Sequence, residues 1–433
     1  AWPDFIVKCL GHCICLICIW LHVVCGIAPN LVYEWDTIDL VWPNSSFRED
    51  YIRTNKFIAE NNAVNGIKIY NNTIYLTIPK LKDGIPVSLL VIDNGTLKSP
   101  SLRPFPSWAM HDDKDCTKLN LVQSMEIDPY TGYMWIIDTA WVPRTNLSIA
   151  DKCPSKIVIW DLNKNVEVHR HTFPSEVTGL GLFYLNDIVL DFDESSARWA
   201  YISDTLGHKL IVYDYKLDNS YAFSHPSMKP DPAYSQITIG GVQNNYAPLG
   251  INGIAMASDL KYVYYCPLAG IGLYRIATTI LRNGKSTDSD FDKGVFHVGD
   301  KKVQSDGLYY SQKHDLYYST LGLRSVFQWK MTPSCDTVKA GEQVEITKDD
   351  RIAWVDSFSF DDSGYLWFVS NNINSGPNET VEGQSEYFVW KIYVNDSSYL
   401  YFNFNNENQT CCATKNFSLA VLILLTCFLV RFV

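Results

Sequence analysis

The chain has 433 residues, a formal net charge of −11 and 47% hydrophobic residues, with 26 Tyr, 20 Phe and 13 Trp. So many strand-forming aromatics exclude a disordered or fibrous chain, because they can bury a large core. The charge excludes a nucleic-acid partner: proteins that bind the phosphate backbone gather Lys and Arg on one face, and no basic run appears.

In chain order, residues 1–26 hold the apolar stretch "FIVKCLGHCICLICIWLHVVCG", with Lys8 near its start and small-residue spacing at Val24 and Gly26. This reads as a secretory signal removed after about Gly26. The strand-like "LVYEWDTIDLVW", Leu31 to Trp42, comes next. Then one phrase recurs six times: a strand, a turn rich in Asp, Gly, Asn or Ser, and an aromatic-rich second strand. Its copies are "NGIKIYNNTIYLTIP" at Asn65, "SMEIDPYTGYMWIIDT" at Ser124, "NDIVLDFDESSARWAYISDT" at Asn186, "NGIAMASDLKYVYYCPL" at Asn252, "SDGLYYSQKHDLYYSTL" at Ser305 and "DSFSFDDSGYLWFVSNN" at Asp356. Successive starts differ by 59, 62, 66, 53 and 51 residues.

A third strand follows each pair, as in "IVIWD" from Ile157, "LIVYD" from Leu210 and "VFQWK" from Val326. Near-continuous apolar runs mean sheets buried on both faces. Six such units predict an all-β fold, a six-bladed β-propeller around a central channel. Leu31–Trp42 is expected to complete the last blade and remove its free edge. The domain is placed at residues 29–405, followed by a polar spacer and hydrophobic tail at 406–433.

Eight N-x-[ST] sequons, at Asn44, Asn71, Asn94, Asn146, Asn378, Asn395, Asn408 and Asn416, fit a glycosylating, secretory route. Of the 12 Cys, Cys116, Cys153, Cys266 and Cys335 stand alone in the body of the chain, which suggests two disulfides. The tail is apolar for about twelve residues, Leu419 to Val430, short of the roughly twenty that a spanning helix needs. It reads as a surface attachment through a processed GPI signal, with cleavage near Asn408 to Ala413. A retained anchor, or a last strand or helix of the domain, is the alternative.

In a propeller the first strand of each blade lines the channel, and its start shares one disc face with the end of the second strand. Two columns of residues are therefore expected to converge at one mouth. The first is Asn65, Ser124, Asn186, Asn252, Ser305 and Asp356; the second is Pro79, Asp138, Asp204, Pro267, Thr320 and Asn371. Polar groups gathered on a rigid scaffold make a ligand site, although Asx and Ser at strand ends also satisfy their own backbone. Nucleophilic catalysis finds no G-x-S-x-G elbow. "HRH", His169 to His171, reads as solvated strand and "HDDKDC", His111 to Cys116, as an acidic loop, since neither has metal-ligand spacing. No metal site is assigned and no cofactor is implied.

The stretches "LKDGIPVSLLVI" (Leu81 to Ile92), "SPSLRPFPSW" (Ser99 to Trp108), "GYMWIIDT" (Gly132 to Thr139), "CPSKIVIWDL" (Cys153 to Leu162), "INGIAMAS" (Ile251 to Ser258), "YYCPLA" (Tyr264 to Ala269) and "LWFVSNN" (Leu366 to Asn372) resemble the yellow and major royal jelly protein family of secreted six-bladed propellers. The resemblance implies the pairings Cys116 with Cys153 and Cys266 with Cys335. It also implies one of three roles: binding a small aromatic amine or catechol in the channel, a dopachrome-conversion-type isomerase activity, or a structural or nutritive glycoprotein. By motif position, Asp356 or Ser357 and Asn371 or Asn372 would hold an amine. On that reading Asp356 pairs with the ammonium, Asn371 and Thr320 orient hydroxyls, and Asn252, Asp138 and Asp204 complete the mouth. An isomerase would instead use a channel carboxylate such as Asp356, Asp138 or Asp204 to move a proton.

Overall fold

A computed structural model describes residues 28–401, apart from 94–97, 113, 140–152, 180–182, 240, 334–337 and 373–385. The signal-like segment, the apolar tail, Cys335 and the sequons at Asn94, Asn146, Asn378, Asn408 and Asn416 lie outside the described residues.

The first strand, β1 (Asn30–Trp35), is the outer edge of the last blade. Blade one holds β2 (Gly66–Tyr70), β3 (Thr73–Thr77), β4 (Leu89–Ile92) and β5 (Arg103–Pro104). Blade two holds β6 (Val122–Asp128), β7 (Tyr133–Asp138), β8 (Lys156–Asp161) and β9 (Val166–Thr172). Blade three holds β10 (Leu185–Asp193), β11 (Ser196–Asp204), β12 (Lys209–Asp214) and β13 (Asn219–Ser224). A separate hairpin, β14 (Gln236–Ile239) and β15 (Val242–Asn245), precedes blade four, which holds β16 (Ile251–Met256), β17 (Tyr262–Pro267), β18 (Gly272–Ala277) and β19 (Phe296–Asp300). Blade five holds β20 (Leu308–Tyr310), β21 (Asp315–Thr320), β22 (Ser325–Pro333) and β23 (Val338–Lys348). Blade six holds β24 (Phe358–Phe360), β25 (Tyr365–Asn371) and β26 (Tyr387–Tyr393), with β1 as its fourth strand. Every neighbouring pair is antiparallel, so the protein is a six-bladed β-propeller.

The aromatic-rich second strands pack on both faces. Tyr201, Tyr264, Tyr317 and Trp135 are all buried, and the apolar clusters run from blade to blade without a break in the ring. Each such side chain stabilises the fold by about 1.5–3 kcal/mol relative to exposure. Closure differs from the expectation in one respect: the strand ends at Trp35, short of Trp42. Ile38 and Leu40 turn instead into the seam between the last and first blades, where they pack with Ile67, Leu76, Trp367 and Val369. One segment thus seals the ring twice, by backbone pairing and by apolar burial.

Both ends of the channel are partly covered. On the face where the first strands begin, here the upper face, Ile237 and Ile239 of the β14–β15 hairpin pack against Leu268, Leu321 and Trp354. At the lower end, Ser398 to Leu400 cross beneath the channel: the Tyr399 hydroxyl accepts from Leu190 N at 2.9 Å, and the Tyr309 and Ser398 hydroxyls meet at 2.7 Å.

Candidate functional site

Ladder register aligns the inner strands residue by residue. Ile67, Met125, Ile188, Ile254, Leu308 and Phe358 each face the equivalent residue of the second strand, namely Leu76, Ile136, Ile202, Tyr265, Tyr318 and Phe368. Two residues before each stands a polar side chain: Asn65, Gln123, Asn186, Asn252, Asp306 and Asp356. These six form the ring at the upper mouth. The column expected from the sequence coincides with this ring at Asn65, Asn186, Asn252 and Asp356; it is one residue late in blade two, where Ser124 follows Gln123, and one residue early in blade five, where Ser305 precedes Asp306.

Between the polar and apolar positions the blades carry Gly66, Ser124, Asp187, Gly253, Gly307 and Ser357. Two of the glycines are forced by close approach. A Cβ on Gly253 would lie 2.3 Å from Asp306 O, and one on Gly307 would lie 2.6 Å from Asp356 O. The neighbouring blade's ring residue sits directly on each.

Half of the ring is an amide chain: Gln123 Nε2 donates to Asn186 Oδ1 at 3.2 Å, Asn186 Nδ2 to Asn252 Oδ1, and the Tyr184 hydroxyl to Gln123 Oε1. The other half is acidic. Asp306 Oδ2 accepts from Trp354 Nε1 at 2.7 Å, while its Oδ1 meets no donor among the described residues. Burial, and then the neighbouring Asp356 carboxyl, push Asp306 well above the usual carboxylate range. Burial, and then the charge of Asp187, push Asp356 up to about 7, against hydrogen bonds from Asn65 and Asp306. Burial raises Asp187 to about 6, a rise that the Lys68 ammonium opposes. Asp306 and Asp356 are thus a coupled pair of carboxyls whose ionisation burial disfavours.

Asp187, Asp356 and Ser357 keep part of their surface exposed, whereas Asn65, Asn252 and Asp306 are buried. The amide oxygens of Asn65, Asn371 and Asn372 also take no hydrogen bond from the described residues. Asn371 belongs to the same quarter, since its Nδ2 donates to Val64 O at 3.3 Å and its backbone pairs with Trp354. Buried polar groups are normally partnered. Among the described residues, this quarter therefore offers acceptors in excess of donors.

Below the ring the channel is crossed by an ion pair. Lys68 Nζ lies 2.9 Å from Glu126 Oε2 and 3.2 Å from Phe358 O, above the Tyr309 ring, and both charged side chains are buried.

Three of the expected site residues are structural instead. Asp138 accepts from Asn120 N at 2.7 Å and Leu121 N at 2.8 Å and pairs with the buried Lys156 at 2.9 Å. At the same position one blade on, Asp204 accepts from Tyr184 N and Gly207 N, each at 2.8 Å. Both carboxylates hold the chain that enters their blade. Thr320, at the equivalent position of β21, spends its hydroxyl on Ser325 O at 2.6 Å within its own hairpin. Asn372 donates its backbone N–H to Glu386 O, at the edge of the site.

The residues missed by sequence reasoning are Gln123, Asp187, Asp306 and Tyr184. The first three fall in the polar-small-apolar triplet that opens every blade, and aligning the triplets would have found them. His169 and His171 are not simply solvated: both contact Asp218 Oδ1, at 2.9 and 3.0 Å. Among the described residues no group of three or more His, Cys, Asp or Glu is placed to hold a metal ion.

Cys116 and Cys153 form a disulfide. Cys266 is a free, buried thiol, with Sγ 3.6 Å from Ser305 Oγ and 3.9 Å from Gly253 O. Cys335, the partner that the family resemblance implies for it, lies outside the described residues.

Residues 122–398, more than half of the chain, match the profile described as Major royal jelly protein. Among curated proteins the chain is 29% identical over 268 residues to Protein yellow of Drosophila madeirensis, covering 60% of this chain and 47% of that protein. It is 28% identical over 293 residues to Protein yellow of Drosophila melanogaster, covering 64% and 54%. The chain thus spans about half the length of the curated relatives it matches. Among solved structures, a luciferin-regenerating enzyme aligns with a TM-score of 0.46 at 10% identity, over 78% of this chain and 93% of that one. The PQQ-bound aldose sugar dehydrogenase of Streptomyces coelicolor aligns with a TM-score of 0.44 at 11% identity, over 76% and 94%. Likeness at that level carries no argument about function. The profile match over more than half of the chain, with the similarity to Protein yellow, places the chain in the yellow and major royal jelly protein family.

Proposed function

We propose that this propeller binds a small aromatic amine or catechol-type ligand at the upper mouth of its channel, as a secreted or surface-attached glycoprotein. One observation carries the reading: Asp187, Asp306 and Asp356 converge with the orphaned oxygens of Asn65, Asn371 and Asn372, a cluster of acceptors short of donors. An ammonium supplies positive charge and three N–H donors, and ring hydroxyls supply more. A charge-assisted bond of this kind contributes roughly 1.5–3 kcal/mol. Trp354 and Tyr184, both joined to ring residues by hydrogen bonds, offer aromatic surface for the ligand. The test is calorimetric titration with dopamine, serotonin and tyramine. Saturable one-site heat that a neutral catechol lacking the amine does not reproduce supports the reading; absence of heat with all three amines rejects it.

A second reading has its own support. Asp356, held at about 7, is suited to exchange a proton near neutral pH, as a dopachrome-conversion-type isomerase requires. Loss of dopachrome absorbance at catalytic protein concentration, abolished by Asp356→Asn, would favour turnover over binding alone.

A further inference from the structure

The helix α1 (Ser45–Arg53), on the chain between β1 and β2, opens at the sequon Asn44-Ser45-Ser46. Asn44 is exposed and extended, with φ −166° and ψ 170°. Its Oδ1 caps the helix, accepting from Phe47 N at 2.9 Å and from the Ser46 hydroxyl at 2.7 Å. Those bonds use only the oxygen. Nδ2, the atom that N-glycosylation modifies, donates to nothing among the described residues, so a glycan and the helix cap are compatible at one side chain.

Next to Asn44, at the start of the helix, lies an aromatic patch. Trp42, two residues before Asn44, stacks on Trp108 with ring centroids 4.9 Å apart; Phe47 stacks on Tyr51 at 4.5 Å and meets Trp108 edge-on at 5.3 Å. All four rings remain part-exposed, and Val41 and Ile52 beside them are 41% and 42% exposed. The other two sequons among the described residues differ in backbone: Asn71 and Asn395 stand in left-handed conformation, with φ 48° and 53°.

We propose that Asn44 carries an N-glycan whose first sugar packs on the Trp42 and Phe47 rings, so that the patch is covered by the protein's own modification. In the transfer, Asn44 Nδ2 bonds to the anomeric carbon of a lipid-diphosphate-linked oligosaccharide; the carbon–oxygen bond to the diphosphate breaks and one amide proton is lost. A pyranose offers a face of C–H groups to an aromatic ring, and its tether to Asn44 keeps it at high local concentration. The proposal is independent of the amine reading and rests on passage through a glycosylating compartment.

The test uses the full chain expressed in insect cells with high-mannose glycans. Ser45→Pro removes this sequon alone. Proline suits the first helical position, and the extended Asn44 tolerates a following proline, so the cap survives. Peptide mass mapping is expected to find Asn44 occupied, and Ser45→Pro to lower Tm by about 2 °C. Endoglycosidase H, which leaves the first sugar, is expected to cause no such loss. Trp42→Ala, or Phe47→Leu should that variant fail to fold, should cost more in the glycosylated protein than in the Ser45→Pro background. An unoccupied Asn44, or an equal cost in both backgrounds, overturns the proposal.

Discussion

Replacing Asp356 with Asn tests the electrostatics of the ring. In the folded protein Asp356 is raised from 3.8 to about 7. A carboxyl raised on folding contributes stability that is fully present below its unfolded pKa and is lost as pH rises through its folded pKa. At about 1.36 kcal/mol per pH unit, a change of about three units corresponds to ~4 kcal/mol if Asp356 alone carried it; its coupling to Asp306 reduces this to the order of 2 kcal/mol. Asn keeps the shape and a donor for Asp306 but cannot ionise. Near pH 4 the variant is expected to match the wild type or fall slightly below it. Between pH 4 and pH 8 it should gain about 2 kcal/mol on the wild type, ending the more stable of the two. Urea unfolding at half-unit pH steps measures this. A stability difference that stays constant across the range, or one that moves against the variant as pH rises, would refute the argument.

Asp138→Ala should destabilise by roughly 3–5 kcal/mol, because it strands the buried Lys156 and frees two backbone donors; Asp138→Asn should recover part of that in thermal melts. Lys68→Met and Glu126→Leu should each cost roughly 3–5 kcal/mol alone and far less together, since only the single changes leave an unpaired buried charge; additive costs in the cycle would contradict this. Opening the Cys116–Cys153 bridge, which spans 37 residues, should remove about 4 kcal/mol on the loop-entropy model, while Cys266 should resist thiol reagents until the protein unfolds.

The propeller was legible because each blade repeats the same local chemistry: a polar and a small residue where the inner strand begins, an Asx or Gly turn, then aromatics that need two buried faces. Closure by β1 was legible for the same reason, as a strand with no partner of its own. The β14–β15 hairpin was not. It lies in the longest interval between repeats, the 66 residues from Asn186 to Asn252, and has too few apolar residues to announce a strand pair.

The site was half legible. Asp138, Asp204 and Asp356 look alike in sequence, an Asp at a strand end. Only the fold separates the two that accept backbone N–H groups from the one that faces the channel. Ser124 and Ser305 each adjoin the ring member of their blade, and one residue of register exchanges the two faces of a strand. Asp187 was hidden behind Asn186. Spacing alone also could not show that the Cys266 thiol lies buried against Gly253 and Ser305.

The most direct test of the acidic mouth is calorimetric titration of dopamine into the wild type and Asp356→Asn at pH 6, 7 and 8. Because a cation binds the ionised carboxyl, the account predicts one site whose affinity rises with pH through the Asp356 value of about 7 and which is lost in the variant. Undiminished binding to Asp356→Asn, or affinity that falls as pH rises, would contradict it.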